Sequence, residues 1–209
     1  MIIAVDGPTA SGKGTIAKAL AAHYDLPHLD TGLLYRAVGH RVLSAGGDPD
    51  SEADALAACG FPDELLGDPE LRSEVTGGLA SRVSVHHAVR EALYARQRAF
   101  ATQAGGAVLD GRDIGTVIAP EAEAKLFVTA SVEARAKRRY LEMVHSGREA
   151  DIDAISADLS ARDARDRNRK EAPLRQADDA ALLDTSDLTP GEAIAAAIAL
   201  VDHRITPRR

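Results

Sequence analysis

One stretch near the start of the chain constrains the fold more than any other. Residues 2–5 form an apolar run typical of a β-strand, residues 6–15 are rich in Gly, Ser and Thr, and residues 16–22 have the composition of a helix. Small residues let consecutive backbone N–H groups turn inward around phosphate oxygens, and the N-terminus of the next helix adds partial positive charge. The order of strand, glycine-rich loop and helix therefore predicts a phosphate-binding loop.

Two side chains of this loop indicate what it binds. Lys13 can reach the terminal phosphates of ATP, and the Thr15 hydroxyl is an oxygen ligand suited to Mg²⁺. Gly14 separates them, so the loop departs from the usual pattern G-x-x-x-x-G-K-[ST]. The competing interpretation is a glycine-rich turn without a ligand. The residues predicted to bind ATP are Gly7, Pro8, Thr9, Ala10, Ser11, Gly12, Lys13, Gly14 and Thr15.

The composition narrows the class of function. A length of 209 residues suits one α/β domain with insertions. The net charge of −7 argues against broad nucleic-acid binding, and 3% aromatic residues without Trp cannot easily form a base-stacking platform. No apolar run approaches the roughly 18 residues of a membrane span. We therefore expect small-molecule partners, with no nucleic acid and no membrane, and a monomer.

The cellular location is predicted from two further features. Cys59 is the only cysteine, so the chain cannot form an internal disulfide, and a single thiol does not indicate an oxidising compartment. The first predicted strand begins at Ile2, which leaves no room for a signal peptide before it. We expect a cytoplasmic protein.

Strand patterns alternate with helix patterns along the chain, which predicts an α/β fold with a parallel sheet covered on both faces. Residues 59–78 are interrupted by Pro and Gly and give no clear assignment, and the tail 207–209 is predicted to fray. The predicted strands are 2–5, 26–30, 107–110, 125–130 and 181–185, and the predicted helices are 16–22, one through 33–38, 51–58, 86–103, 132–143, 151–168 and one from Pro190.

The ends of the predicted strands carry polar groups. In an open parallel sheet, ligands lie beyond the carboxyl ends of the strands. Besides the glycine-rich loop, three segments follow strands, namely 30–36, 110–117 and 130–131, and the first two contain an arginine and a carboxylate. Because planar guanidinium groups bind phosphate oxygens in pairs, these two segments predict contacts to a phosphorylated substrate.

A third charged group lies on the helix predicted near residues 162–169. At 100° per residue, Arg162, Asp166 and Arg169 share one face, and Arg165 lies at its edge. Such a face can hold phosphates and a ribose hydroxyl. A solvated helix with ion pairs between residues i and i+4 is an equally good interpretation of this spacing.

Taken together, these segments resemble the bacterial cytidylate kinase family. The resemblance implies a P-loop kinase fold with three α/β/α layers, a parallel five-stranded sheet, a helical insert that binds the nucleoside monophosphate (NMP), and a mobile lid. It also implies transfer of phosphate from ATP, with Mg²⁺, to CMP and dCMP. The motifs that carry it are GKGT at 12–15, LDTG at 29–32 with YR at 35–36, VREAL at 89–93, DGRDIGTV at 110–117 and RDARDRNR at 162–169.

The resemblance also assigns roles to single residues. Three arginines are implied to hold the acceptor phosphate, a serine, an arginine and an aspartate to read the cytosine edge, and an arginine and an aspartate to contact the sugar. The phosphate residues are Arg36, Arg112 and Arg169, and the residues that read cytosine are Ser81, Arg90 and Asp113. The residues at the sugar are Arg162 and Asp166, and Thr31 and Tyr35 also belong to the substrate site.

The expected organisation is a single domain over 1–209. Its core comprises 1–36 and 82–209, its NMP-binding insert spans about 37–81, and its lid spans about 143–160 with a hinge near Gly147. The insert is shorter than in well-known members of the family and is expected to be mostly helical. The residues expected to act in catalysis are Lys13, Arg112, Arg165 and Arg169, with Arg148 and Arg139 as further lid arginines.

Two other classes of function remain as alternatives. A P-loop kinase of another nucleotide or of a small hydroxylated metabolite would share the loop and the lid but not the residues that read cytosine. A GTP-binding switch would require the segments D-x-x-G and N-K-x-D, and neither occurs in the chain.

Overall fold

The computed structural model describes residues 1–205, so the predicted tail 207–209 lies outside the described residues. Within them, the strands are β1 (Ile2–Asp6), β2 (His28–Asp30), β3 (Ala107–Gly111), β4 (Ala124–Thr129) and β5 (Ala181–Asp184). All neighbouring strands pair in parallel, in the order β2-β3-β1-β4-β5. The predicted α/β fold with a parallel five-stranded sheet is confirmed.

Eight α-helices connect and flank these strands within residues 1–205, and the predicted ones differ from the observed ones mainly at their ends. Two 3₁₀ turns, Asp63–Gly67 and Pro69–Arg72, and a π-helical turn, Ile114–Ile118, occur between them. The helices are α1 (Lys13–Tyr24), α2 (Thr31–Ser44), α3 (Glu52–Ala57), α4 (Glu74–Val83), α5 (His87–Ala101), α6 (Val132–His145), α7 (Ile152–Asn168) and α8 (Pro190–Ile205).

Apolar side chains pack on both faces of the sheet. Ile16 of α1 and Val201 of α8 belong to a buried cluster with Ile3 and Val5 of β1. On the other face, Ile118 of the π-helical turn packs in a cluster with residues of β3. Strands buried on both faces explain why β1 and β3 read as continuous apolar runs rather than as alternating ones.

Helix α4 was not predicted from the sequence, because Gly77 and Gly78 lie inside it and glycine disfavours helix interiors. The Ser73 hydroxyl caps the helix by accepting the N–H of Thr76. At Gly77 a Cβ atom would lie 2.9 Å from Nη2 of Arg36, so the glycine leaves room for that arginine. Residues 37–81 contain helices and 3₁₀ turns and no strand, in agreement with the helical segment expected there.

None of the helices described between residues 1 and 205 combines the length and the apolar character required to cross a membrane.

The close crossing of α2 and α4 depends on a second glycine. A Cβ at Gly39 would lie 2.6 Å from Cβ of Leu79, whereas a Cβ at Gly78 would meet no atom within 4 Å. We predict that Gly39→Ala lowers the free energy of unfolding by about 1–3 kcal/mol, because the helices must move apart. Urea unfolding of purified protein measures this.

The matched control for this substitution is Gly78→Ala. Because alanine favours a helix and has free space there, the control is expected to be neutral or to raise stability by about 0.5–1 kcal/mol. Equal effects of the two substitutions would contradict the proposed close approach.

Candidate functional site

A cleft opens where the strands β1, β2 and β3 end. Helices α2, α4 and α7 contribute the rest of its walls, so one cavity collects residues from both halves of the chain. It is lined by Thr9, Lys13, Gly14, Asp30, Thr31, Gly32, Tyr35, Arg36, Ala80, Ser81, Ser84, Asp110, Gly111, Arg112, Asp113, Arg162, Asp166 and Arg169.

The glycine-rich loop between β1 and α1 has the backbone conformation that its sequence suggests. A Cβ at Gly7 would lie 2.0 Å from the Val128 carbonyl oxygen, so no side chain fits there. Gly12 has a φ of 86°, and Ala10 has a φ of 59°, a left-handed conformation that is uncommon for a residue with a side chain. The Thr185 hydroxyl donates to the Ser11 carbonyl at 2.9 Å. The loop is thus held by its surroundings as well as by its glycines.

Only some of the predicted loop residues line a cavity. Thr9, Lys13 and Gly14 line the cleft, whereas Gly7 and Pro8 are buried and Ala10 lines neither the cleft nor a second groove. The second groove is lined by Ser11, Gly12, Thr15, Ile16, Arg138, Thr185, Leu188, Thr189, Pro190 and Ala193.

Lys13 lies in an electrostatically mixed environment. Its pKa is lowered to about 8, first by burial and then by the positive charge of Arg112. The carboxylates of Asp110 and Asp30 act in the opposite direction. The ammonium group is therefore mostly charged at neutral pH, and a bound anion would raise its pKa.

Arginines crowd together on the side of the cleft opposite the loop. Nη1 of Arg36 donates to the carbonyls of Leu71 and Ser73, both at 2.8 Å, which fixes the side chain without neutralising it. Burial and the positive charge of Arg162 lower the pKa of Arg36 to about 10. Mutual repulsion between buried cations is a property of sites that bind anions.

The charged face predicted on α7 is present, and it faces the cleft. Arg162, Asp166 and Arg169 all line the cavity, while Arg165 is exposed at the edge. Nε of Arg112 donates to Asp166 at 2.7 Å. Although burial lowers it, the pKa of the Arg112 guanidinium is raised overall by the Asp166 carboxylate. This geometry removes the interpretation of 162–169 as a fully solvated helix.

The three residues expected to read a base are only partly in contact with one another. Arg90 forms a buried ion pair with Asp113, whose other oxygen accepts from Nη2 of Arg169 at 3.4 Å. Ser81 and Asp113 line the cleft, whereas Arg90 lines a separate groove beside His87 and Tyr94. The Ser81 hydroxyl accepts from Nε of Arg165 at 3.2 Å. The structure thus brings Arg90 and Asp113 together and places Ser81 with Arg165.

Two buried polar atoms beside this ion pair have no hydrogen-bond partner. They are Nη1 of Arg90 and the hydroxyl of Tyr35, and the Arg90 guanidinium lies 5.8 Å from the centre of the Tyr35 ring. Unpaired buried polar groups are costly, so their presence together beside a cleft indicates a polar ligand.

Thr31 and Asp110 support the floor of the cleft. The Thr31 hydroxyl donates to the backbone carbonyl of Asp110 at 2.9 Å, so it also has a structural role. The Asp110 carboxylate, which sequence analysis left without a role, lies 3.8 Å from the position of a Cβ on Gly14 and pairs with Nε2 of His28 at 2.7 Å. Its position at the end of a buried strand beside β1 was the signal that could have identified it.

The other expected lid arginines lie on α6 and in the connection between α6 and α7. Gly147 has a φ of 72° in the connection between the two helices. Arg148 is exposed, and Nε of Arg139 donates to Glu74 on α4 at 2.7 Å.

The buried ion pair between Arg135 and Asp163, at 2.6 Å, was not predicted, because its two partners are 28 positions apart on different helices.

The chain was compared with known proteins. The family model described as cytidylate kinase matches residues 3–203. The chain is 56% identical to "Cytidylate kinase" of Xanthobacter autotrophicus, with 98% of each chain covered, and 53% identical to "Cytidylate kinase" of Rhodopseudomonas palustris, covering 100% of this chain and 99% of the relative. A solved structure of an uncharacterized protein from Eubacterium ventriosum has a similar fold, with a TM-score of 0.57 at 16% identity over 98% of this chain and 99% of that one.

Asp6 ties the glycine-rich loop to the segment that follows β3. This carboxylate ends β1, is 4% exposed and accepts the N–H groups of Ile114 and Gly115 at 2.8 Å each. Burial raises its pKa to about 7, although those two hydrogen bonds lower it. The folded protein therefore binds a proton on Asp6 more tightly than the unfolded chain, in which the ordinary pKa is 3.8.

This pKa shift predicts how stability depends on pH. Between pH 4 and 7 the folded state binds more protons than the unfolded state, so the ionisation of Asp6 lowers stability as the pH rises. We predict the difference in the free energy of unfolding between the wild type and Asp6→Asn. This difference, wild type minus variant, should fall by up to about 1.4 kcal/mol for each unit by which the pH rises. Urea unfolding at several pH values measures this difference.

An exposed carboxylate provides the control for the pH dependence. Asp178→Asn makes the same chemical change at an exposed position and serves as the reference for the substitution itself. A pH-independent difference between the wild type and Asp6→Asn would contradict the raised pKa of Asp6.

Proposed function

The chain belongs to the cytidylate kinase family, and on this basis we propose that it transfers the terminal phosphoryl group of ATP to CMP and dCMP, giving CDP and dCDP. The observation that carries the proposal is a single cleft with a phosphate-binding loop, a cluster of arginines, and the Asp113 carboxylate, which a buried ion pair with Arg90 holds in place. These are the groups required to hold two sets of phosphates and one polar base.

ATP is held by the glycine-rich loop, with Lys13 on its terminal phosphates. The adenosine part occupies the second groove, where Arg138 and Leu188 face the other side of the loop. The Asp110 carboxylate, which lines the cleft beside Gly14, is a hard oxygen ligand suited to Mg²⁺, whereas the predicted ligand Thr15 lines the second groove. When bound, Mg²⁺ neutralises part of the phosphate charge.

The acceptor nucleotide occupies the remainder of the cleft. Its phosphate binds to Arg36, Arg112 and Arg169. Arg162 and Asp166 on α7 hold the sugar hydroxyls, and both already line the cavity. The crowding of positive charge that lowers the pKa of Arg36 and Arg162 is relieved when the phosphate enters.

Cytosine is recognised by Ser81, Arg90 and Asp113. Nη1 of Arg90 has no partner within the protein and is the donor assigned to the base, and the Asp113 carboxylate accepts from the exocyclic amine. Uracil would present a carbonyl oxygen to that carboxylate instead. An unpaired polar group of this kind disfavours the wrong base by about 1–3 kcal/mol.

Catalysis depends on positioning and on charge rather than on a general base. Lys13, Arg112, Arg165 and Arg169 surround the phosphoryl group and stabilise the charge that develops on its oxygens during in-line transfer. The lid, residues 143–160, closes over the insert, residues 37–81, and excludes water. Contacts already join the part of α7 that follows the lid to the insert, from Arg162 to the Gly77 carbonyl at 3.0 Å and from Arg165 to Ser81.

The enzyme acts as a cytoplasmic monomer on free nucleotides, without nucleic acid or membrane partners.

The function is tested by ADP formation with Mg·ATP and one acceptor at a time. We expect high kcat/KM with CMP and dCMP and little turnover with UMP, AMP, GMP, dTMP or shikimate. Turnover with another acceptor would contradict the assigned specificity while leaving a P-loop kinase, and binding of nucleotide without any turnover would contradict the kinase reaction.

A single substitution tests how the base is read. We predict that Asp113→Asn lowers kcat/KM for CMP by about 10- to 100-fold, since the lost interaction is worth roughly 1–3 kcal/mol. Its activity with UMP should fall less or rise, because the amide can donate to the uracil carbonyl. The dissociation constant of an ATP analogue should stay within about threefold.

The control for this test is Asp178→Asn, at an exposed position that lines neither the cleft nor the second groove. Thermal unfolding confirms that both variants are folded. Unchanged kinetics with CMP in Asp113→Asn would remove this residue from base recognition.

A further inference from the structure

Arg135, near the start of α6, contacts three separate elements although it is almost completely buried. Its exposed fraction is 2%. Nε donates to the Ala130 carbonyl at 3.0 Å, and Nη1 donates to the Thr9 carbonyl at 3.2 Å. Nη1 and Nη2 donate to the two oxygens of Asp163 at 3.1 and 2.6 Å. One guanidinium group thus joins the end of β4, the glycine-rich loop and α7.

The contact with Thr9 fixes the direction of a peptide unit in the phosphate-binding loop. The C=O and N–H groups of a trans peptide point in opposite directions, so holding the Thr9 carbonyl also directs the N–H of Ala10. Ala10 has a φ of 59°, a conformation that a residue with a side chain adopts only when its surroundings hold it there. Arg135 is one of the groups that hold it.

The contact with Asp163 carries the link to the other side of the cleft. Asp163 is 5% exposed and lies on α7, directly after Arg162 and three positions before Asp166. A bidentate pair between a guanidinium and a carboxylate restricts both distance and orientation. It therefore fixes how α7 is rotated, and with it the positions of Arg162 and Asp166 in the cleft.

We propose that Arg135 is a positioning residue and that the Arg135–Asp163 pair couples the donor site to the acceptor site. An acceptor that orders α7 through Arg162 and Asp166 orders the Thr9 carbonyl through this pair, so each nucleotide strengthens the binding of the other. The coupling must be reciprocal, as for any two linked equilibria. The inference rests on the proposed function, because it assigns this face of α7 to the acceptor.

Two variants separate this role from simple stabilisation. Arg135→Lys keeps the charge, but an ammonium group cannot reproduce the planar fork that reaches Ala130, Thr9 and Asp163 together. The double variant Arg135→Met/Asp163→Leu replaces the whole pair by apolar side chains of similar size. Such replacements often preserve stability, because no unpaired buried charge remains.

The experiment measures binding of a non-hydrolysable ATP analogue with Mg²⁺ by calorimetry, with and without saturating CMP. In the wild type we expect CMP to lower the dissociation constant of the analogue at least fivefold, within the usual range of such coupling. In both variants this ratio should approach one, and the affinity for the analogue alone should fall at least fivefold. The affinity for CMP alone should fall as well, because the pair fixes the positions of Arg162 and Asp166 in the cleft.

Arg98→Lys is the matched control. Nη1 of Arg98 also binds a backbone carbonyl, that of Ile118 at 2.7 Å, and a carboxylate, that of Glu121 at 2.5 Å, and it lines neither the cleft nor the second groove. This variant should keep the wild-type ratio. Thermal unfolding identifies which variants are folded.

The outcomes are distinct. An unchanged ratio in a folded Arg135→Lys or double variant overturns the proposal, as does a ratio of one in the wild type. If the wild type binds the analogue but does not phosphorylate CMP, the proposed function fails. The coupling is then measured with the acceptor that the turnover assay identifies.

Discussion

The site depends on the parallel pairing of β1 with β3 at the centre of the sheet. In this register Asp6 lies opposite Gly111, so the glycine-rich loop and the segment carrying Arg112 and Asp113 leave the sheet side by side. The buried Asp6 carboxylate then holds the second segment through two backbone N–H groups. Because both segments start from adjacent strand ends, small shifts of the helices do not separate the donor side from the acceptor side.

The electrostatics of the cleft contrast with those of the whole chain. The net charge is −7, yet arginines and a lysine crowd into one cavity, where burial and neighbouring positive charge lower the pKa of Lys13 and of Arg36. Backbone carbonyls hold Arg36, whereas the Asp166 carboxylate holds Arg112. The Asp113 carboxylate pairs with two arginines, Arg90 and Arg169. Charges that are already oriented in this way need little reorganisation when a phosphate enters, which is the property that favours phosphoryl transfer.

The predictions of structure from the sequence are most accurate where the pattern lies in neighbouring residues. The glycine-rich loop is specified by consecutive residues, and the strands β1 and β3 by continuous apolar runs, so both were found close to their observed positions. Helix α4 was missed, because Gly77 and Gly78 weaken its pattern and the reason for a glycine at 77 is the Arg36 side chain of another helix. The helical spacing of Arg162, Asp166 and Arg169 placed them on one face, but two interpretations of that face remained until α7 was seen against the cleft.

By itself, the sequence determined that the chain is an α/β protein with a phosphate-binding loop, because backbone conformation and strand burial follow from neighbouring residues. It also determined which charged residues were candidates for the site. Only the tertiary structure decided how these charges pair: Arg90 with Asp113, Arg112 with Asp166, and Arg135 with Asp163 and the Thr9 carbonyl. Such pairs join residues that are 23 to 126 positions apart, and no local preference in the chain specifies which distant partner a charged side chain meets.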